Sequence, residues 1–376
     1  MGRHFPDFVA AALACASAVQ LWRRSTTGLG RFLPIARALI LSAIFLVLSG
    51  VLTGFVTVAQ QLPPLVFVLS RASALLAAGA LVYVAILVFF FGRAVRYAPQ
   101  RRELLQLTAA AALSAPAALL ATAYVKRDKL EFREVDIRVP NLPKDLEGLR
   151  IVQVSDLHLS HLVSEKLVAQ AVDMANGAAA DLAVLTGDFI SVAGDPLDAC
   201  LRQMARLRAS NGIYACLGNH EEYAKATEYC TEAGARFGIQ FLRQQAFSLP
   251  FGSARLNIAG VDYQSKRHPY LVGAETLVKP EAFNLLLSHN PDVFPVAAGK
   301  GFDLTLSGHT HGGQVNIELL HTDLNIVRFM TPYVYGSYQH AGKSIYVTRG
   351  VGTIGLPARL GAPPEVALIR LCGISS

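Results

Sequence analysis

Five short apolar runs, each closing on a side chain able to bind metal, constrain the fold of this 376-residue chain more than any other feature. They are LRIVQVSD ending at Asp156, DLAVLTGD ending at Asp188, GIYACLGNHE ending at Glu221, FNLLLSHNPD ending at Asp292 and FDLTLSGHTH ending at His311. Between the first two, Leu167/Val168, Ala171/Val172 and Met174/Ala175 recur at helical spacing. Continuous apolar strands separated by amphipathic helices predict a layered α/β domain with strands buried on both faces. In such sheets, ligands bind beyond the carboxyl ends of the strands. Asp156, His158, Asp188, Asn219, His220, His289, His309 and His311 can therefore converge, although 155 positions separate the first from the last.

Taken singly, these residues have ordinary explanations. Asp156 suits a helix cap, Gly187 in Thr-Gly-Asp supplies turn freedom, and His289 before Asn-Pro reads as a turn. Gly-Asn-His-Glu at 218–221 and Gly-His-Thr-His at 308–311 are rarer. What outweighs coincidence is that all occur in order, each at the end of an apolar run. Five of the ten histidines fall there.

The first third of the chain has a different character. Residues 38–59, 72–92 and 104–125 are uncharged runs of 22, 21 and 22 residues, and a helix crossing a bilayer core needs about 20 apolar residues. A fourth segment, 4–22, contains Asp7 and is bounded by Arg3 and Arg23; it reads as a span, or as a signal-like or interfacial segment. The expected organisation is a membrane domain of about four transmembrane helices at 1–125, a linker and edge strand at 126–148, and a catalytic domain at 149–376. Residues 1–125 hold 10 of the 34 Lys/Arg and 2 of the 27 Asp/Glu, so the formal charge of +7 belongs to this part. The remainder is balanced and indicates no nucleic-acid-binding surface. Arg23, Arg24, Arg31 and Arg37 fall in one loop, and Arg93, Arg96, Arg101 and Arg102 in another. The positive-inside rule makes both loops cytoplasmic and puts everything after residue 125 on the non-cytoplasmic side, with Lys126, Arg127 and Lys129 pulling the other way. The five cysteines show no paired metal-ligand spacing.

The series Asp-x-His, Gly-Asp, Gly-Asn-His-Glu, His and Gly-His-x-His resembles the calcineurin-like metallophosphoesterases over residues 130–372. The flanks GLRIVQVSDLHLS, LSHNPD, SGHTHGGQ and RGVGTIGLPARLGAPPEVALIRL are similar to the membrane-associated YkuE/YaeI-like branch, Ser160 being a minor departure. The resemblance implies a four-layer αββα sandwich, here preceded by an α-helical transmembrane region. It also implies two divalent ions, one held by Asp156, His158, Asp188 and His311, the other by Asp188, Asn219, His289 and His309, with Asp188 bridging. Mixed imidazole and carboxylate donors suit Mn, Fe or Zn better than Ca or Mg. By the same resemblance the nucleophile is a hydroxide held on the ions, and His220 acts over the site without being a ligand. Asp188, Asn219 and His220 are thus the expected catalytic residues, and Glu221 either orients His220 or faces solvent. The expected function is membrane-anchored hydrolysis of a phosphodiester, phosphomonoester or pyrophosphate on a lipid-linked or envelope substrate. Alternatives are a broad nucleotide phosphodiesterase or phosphatase, and a non-catalytic membrane sensor or scaffold. Gln314 is expected to support the histidine loop, and Arg349 and Arg359 to form a structural turn in preference to a phosphate contact. His161, His268, His321 and His340 are read as surface or core residues.

Overall fold

A computed structural model describes residues 119, 121–319 and 322–374, and residues 121–376 form one compact unit. The apolar segments at 4–22, 38–59 and 72–92 lie outside the described residues, as does 104–125 apart from 119 and 121–125. Among the described residues no helix is long and apolar enough to cross a membrane.

In chain order the elements are β1 (Glu131–Val139), β2 (Arg150–Val154), α1 (Glu165–Gly177), β3 (Leu182–Thr186), α2 (Leu197–Met204), β4 (Ile213–Cys216), α3 (Asn219–Tyr223), α4 (Thr227–Arg236) and β5 (Ile239–Phe241). There follow β6 (Gln245–Phe251), β7 (Ala254–Gly260), β8 (Phe283–Leu287), α5 (Phe294–Lys300), β9 (Leu304–Ser307), β10 (Ile317–Leu319), β11 (Thr322–Leu324), β12 (Gly336–His340), β13 (Lys343–Val347) and β14 (Glu365–Gly373). One six-stranded sheet runs β1-β14-β2-β3-β4-β5 and the other β12-β13-β9-β8-β7-β6. Both are mixed. β2 through β5 are mutually parallel while β14 meets β2 antiparallel, and β7, β8, β9 and β13 are parallel, flanked by antiparallel β6 and β12.

The two-residue period of a strand explains why the sheets stack. In β3, Leu182 and Val184 point toward the second sheet and pack with Ile151, Leu256, Ile258, Leu285 and Leu306. Ala183 and Leu185 point the other way, against Val168, Val172 and Leu201 of the helices. The outer face of the second sheet, including Ala259 and Leu286, packs on Ala297 of α5. The layers thus run helix, sheet, sheet, helix. α1 begins where the Ser164 side chain accepts a hydrogen bond from the Leu167 amide, satisfying one orphan donor of its first turn. Its buried stripe of Leu167, Val168, Ala171, Val172 and Ala175 follows the helical repeat, and each fully buried Leu or Val contributes about 1.5–3 kcal/mol.

This stacking brings the carboxyl ends of β2, β3, β4, β8 and β9 to one rim. Buried Gln153 joins the sheets there, its amide donating to Thr186 Oγ1 at 2.9 Å and to the Ser307 carbonyl at 3.0 Å.

Candidate metal centre

At that rim the backbone itself is unusual. Asp156, His158, Asp188, His309 and His311 all have left-handed φ, between 48° and 74°, which costs a non-glycine residue on the order of 1–3 kcal/mol. The loops hold one another in this state. The amide of Asp156 donates to the Gly187 carbonyl and that of His158 to the Asp188 carbonyl, both at 3.0 Å. The His309 amide donates to Asp156 Oδ1 at 2.9 Å and the His220 amide to Asp188 Oδ1 at 3.0 Å. Glycines allow the loops to close on the carboxylates. A Cβ on Gly218 would lie 2.1 Å from Asp188 Oδ1, and one on Gly308 would lie 2.2 Å from Asp156 Oδ2.

The side chains converge from five separate loops. His158 Nε2 is 3.0 Å from His311 Nε2 and 3.5 Å from Asp188 Oδ2. On the other flank, His289 Nε2 is 3.0 Å from Asp188 Oδ2 and 3.2 Å from His309 Nδ1. His311 Nε2 lies 3.4 Å from Asp156 Oδ1. Donor atoms of Asp156, His158 and His311 lie within 4.8 Å of one another, as do those of Asp188, His289 and His309, and those of His158, Asp188 and His220. Asn219 Oδ1 is buried without a hydrogen-bond partner, a costly state for a carbonyl oxygen unless a cation or water satisfies it.

Electrostatics favour the same occupant. Burial holds His158 down at about 3, His309 at about 4 and His311 well below its usual value, so these imidazoles stay neutral with a lone pair to offer. Burial opposes ionisation of Asp188, but the charge and hydrogen bond of His289 outweigh it and hold the carboxyl well below its ordinary range. Burial also lowers His289, yet the Asp188 carboxylate beside it raises the ring to about 10. Its Nδ1 donates to the Thr186 carbonyl at 2.6 Å, so the proton that Nε2 shares with Asp188 occupies a place a divalent cation can take. Asp156 is pushed up to about 6, first by burial. These donors fit a divalent metal of borderline softness.

Several surrounding residues escaped the sequence reading. The Ser191 carbonyl is 2.5 Å from His220 Nδ1, while the Ser191 hydroxyl is 3.2 Å from His158 Nδ1. The half-buried His220 ring stands edge-on to His158, with centroids 4.7 Å apart. Glu221 neither orients His220 nor faces solvent. It is fully buried, Oε2 accepting from the amides of Asp188 and Gly218 and Oε1 from that of Phe189, at 2.8–2.9 Å. Burial and the nearby Asp188 push its carboxyl up to about 7.

Arg349 and Arg359 are structural, as expected. Arg349 pairs with buried Glu365 at 2.7 Å. Arg359, 1% exposed, donates to the carbonyls of His311, Arg349 and Gly352, and its Nη2 lies 3.2 Å from His311 Nδ1. A cation at His311 Nε2 requires the ring proton at Nδ1, and the guanidinium then keeps its hold through the carbonyls. Gln314 clips the histidine loop to residue 354, donating to and accepting from its backbone at 2.8 Å. The ring of Tyr263 walls the site, 5.6 Å from His309. His161, His268 and His340 are exposed, and His321 lies outside the described residues.

Comparison with known proteins agrees with this architecture. The family model for calcineurin-like phosphoesterase matches residues 149–313. The uncharacterised metallophosphoesterase YkuE of Bacillus subtilis is 30% identical over 267 residues, covering 70% of this chain and 93% of its own. An uncharacterised metallophosphoesterase of Campylobacter jejuni is 30% identical over 246 residues, 65% of this chain and 63% of its own. A Danio rerio protein described as a transmembrane protein with metallophosphoesterase domain is 30% identical over 253 residues, 63% of this chain and 56% of its own. The chain thus spans less than two thirds of the length of some relatives and nearly all of YkuE. With the rim residues in place and YkuE aligned over most of both chains, this chain belongs to the calcineurin-like metallophosphoesterases.

Proposed function

We propose that the chain is a membrane-anchored phosphoesterase working through two divalent ions, Mn, Fe or Zn. Asp156, His158, Asp188 and His311 hold one, and Asp188, Asn219, His289 and His309 hold the other. The observation that carries this reading is the position of one carboxylate, Asp188 Oδ2, 3.5 Å from His158 Nε2 and 3.0 Å from His289 Nε2, between the two donor groups. Paired divalent ions supply Lewis acidity at the phosphoryl oxygens and a nucleophile from water near neutral pH. The protein fixes the donors, with Asp156, His158, Asp188, His289 and His311 all buried. His220 acts on the substrate as the imidazolium: with Nδ1–H committed to the Ser191 carbonyl, Nε2–H is the donor that steadies developing phosphoryl charge or hands its proton to the leaving oxygen.

Detergent-solubilised chain loaded with manganese should hydrolyse bis-p-nitrophenyl phosphate. His220→Ala should keep its metal content and lose about 10²-fold or more in turnover, the usual contribution of a general acid. Full turnover in that variant would remove His220 from the mechanism.

A lipid-linked or envelope phosphoester is the substrate reading we favour. A cavity of about 480 Å³ opens beside His309 and His311, lined in part by Tyr263, Val327, Met330 and Ile354, with Arg267 and the Lys266–Asp292 ion pair, 2.8 Å, at its edge. That lining suits an anionic group carrying an apolar tail. The uncharged runs before residue 125, and the transmembrane description of the zebrafish relative, support anchorage in the cell membrane; the loop arginines favour a catalytic domain on the non-cytoplasmic side. Among p-nitrophenyl alkyl phosphates at fixed detergent concentration, kcat/KM should climb from methyl to octyl. The ceiling is about fourfold per methylene, from about 0.8 kcal/mol per buried CH₂. Equal values along the series would argue for a small soluble substrate.

A further inference from the structure

We infer that Ser191 is a positioning residue serving two histidines at once, its hydroxyl setting His158 as a metal ligand and its carbonyl setting His220 toward the substrate. The inference rests on the metal-binding reading of His158. Both contacts come from one residue in the turn after β3: Ser191 Oγ is 3.2 Å from His158 Nδ1, and Ser191 O is 2.5 Å from His220 Nδ1.

A neutral imidazole has one N–H, and the acceptor that takes it decides which nitrogen keeps the lone pair. With the His158 Nδ1 proton on the Ser191 hydroxyl, the lone pair is at Nε2, the atom facing His311 Nε2 at 3.0 Å and Asp188 Oδ2 at 3.5 Å. His220 Nδ1 must donate, because a carbonyl only accepts, and this leaves Nε2 as the nitrogen pointing away from the turn. The rings meet edge to face at 4.7 Å, so tilting one crowds the other. The turn is itself braced: Asp195 Oδ2 accepts from the amides of Ser191 and Val192, each at 2.9 Å. The Ser191 carbonyl and the Val192 N–H share one planar peptide unit, so the bond from that amide to Asp195 fixes the direction of the carbonyl.

The two arms are separable because only one belongs to the side chain. Ser191→Ala deletes the hydroxyl and keeps the carbonyl. Outer-shell partners of metal-ligating histidines are worth about 10–100-fold in metal affinity. Manganese titration of the full-length chain by calorimetry should therefore show one of two equivalents weakened by about that factor in Ser191→Ala. Ser191→Thr, which retains the hydroxyl, should restore tight binding, and Ser191→Cys, a poorer acceptor, should fall between. A merely structural role would lower the melting temperature of the metal-free protein and leave the isotherm in place. Superimposable isotherms for Ser191→Ala and the unsubstituted chain would overturn the proposal. An unsubstituted chain that binds no manganese would overturn the metal reading beneath it, so the two failures are distinct.

Discussion

Asp188→Asn should reduce bound metal from the two ions proposed to fewer than one per chain and abolish phosphodiester hydrolysis. The expected loss exceeds the ~10–100-fold attached to an outer-shell partner, because this residue lies between both donor groups. Its Oδ2 faces His158 Nε2 at 3.5 Å and His289 Nε2 at 3.0 Å, while Oδ1 accepts from the His220 amide at 3.0 Å. An asparagine turned with its carbonyl toward the His220 amide preserves that backbone bond. It then presents a neutral NH₂ to the two imidazoles, where a carboxylate charge has to attract the cations. Fold and metal binding should therefore come apart. Far-UV circular dichroism should be unchanged while metal analysis falls, and two tightly bound ions in this variant would refute the bridging role.

The second large effect is on stability. Glu221→Ala should destabilise the metal-free protein by on the order of 3 kcal/mol or more, because it strands buried donors at about 1–3 kcal/mol each. The carboxylate takes the amides of Asp188, Gly218 and Phe189 at 2.8–2.9 Å, and all three donor residues are buried. The same amides set the turn that holds Asp188 at φ 58°, so metal affinity should fall with stability. Denaturant titration of the apo form tests this directly. A change below about 1 kcal/mol, the net worth of a single ordinary hydrogen bond, would mean the turn is held by other contacts. Glu221→Gln offers one acceptor and one donor to these amides, and should lie between Ala and the native side chain.

The different fates of His220 and Glu221 show where sequence reasoning stopped. Adjacent in the chain, they sit in the five-residue α3, where successive side chains point about 100° apart. One therefore reaches the rim while the other turns inward under the Asp188 loop. Nothing in Gly-Asn-His-Glu says which way the glutamate goes; the packing of α3 on the β3 turn decides it. Ser191 was invisible for a related reason. Ser and Asp four residues apart in a Gly-containing loop are ordinary turn chemistry, and the value of Ser191 arises only because the loop after β2 brings His158 alongside it. Arg359 was legible only in part. Its place in a glycine-rich turn could be read, but its complete burial among carbonyls of that turn and of the histidine loop could not.

The sequence by itself determined the five strands that lead to the rim, the helix between the first two, the α/β layering they imply, and which residues stand at those strand ends. These properties are local: apolar runs and helical spacing specify strands and helices, and strand polarity places the last residue of each run at a rim. The same sequence also concentrated the uncharged segments and the excess of arginine before residue 125. Only the tertiary structure decided how the two sheets register, because contacts such as Gln153 to Ser307 join residues 154 positions apart. That register puts the β2–β4 loops opposite the β8 and β9 loops, turns Asp188 between two histidine groups, and strains five donor residues into left-handed conformations that no local preference would choose.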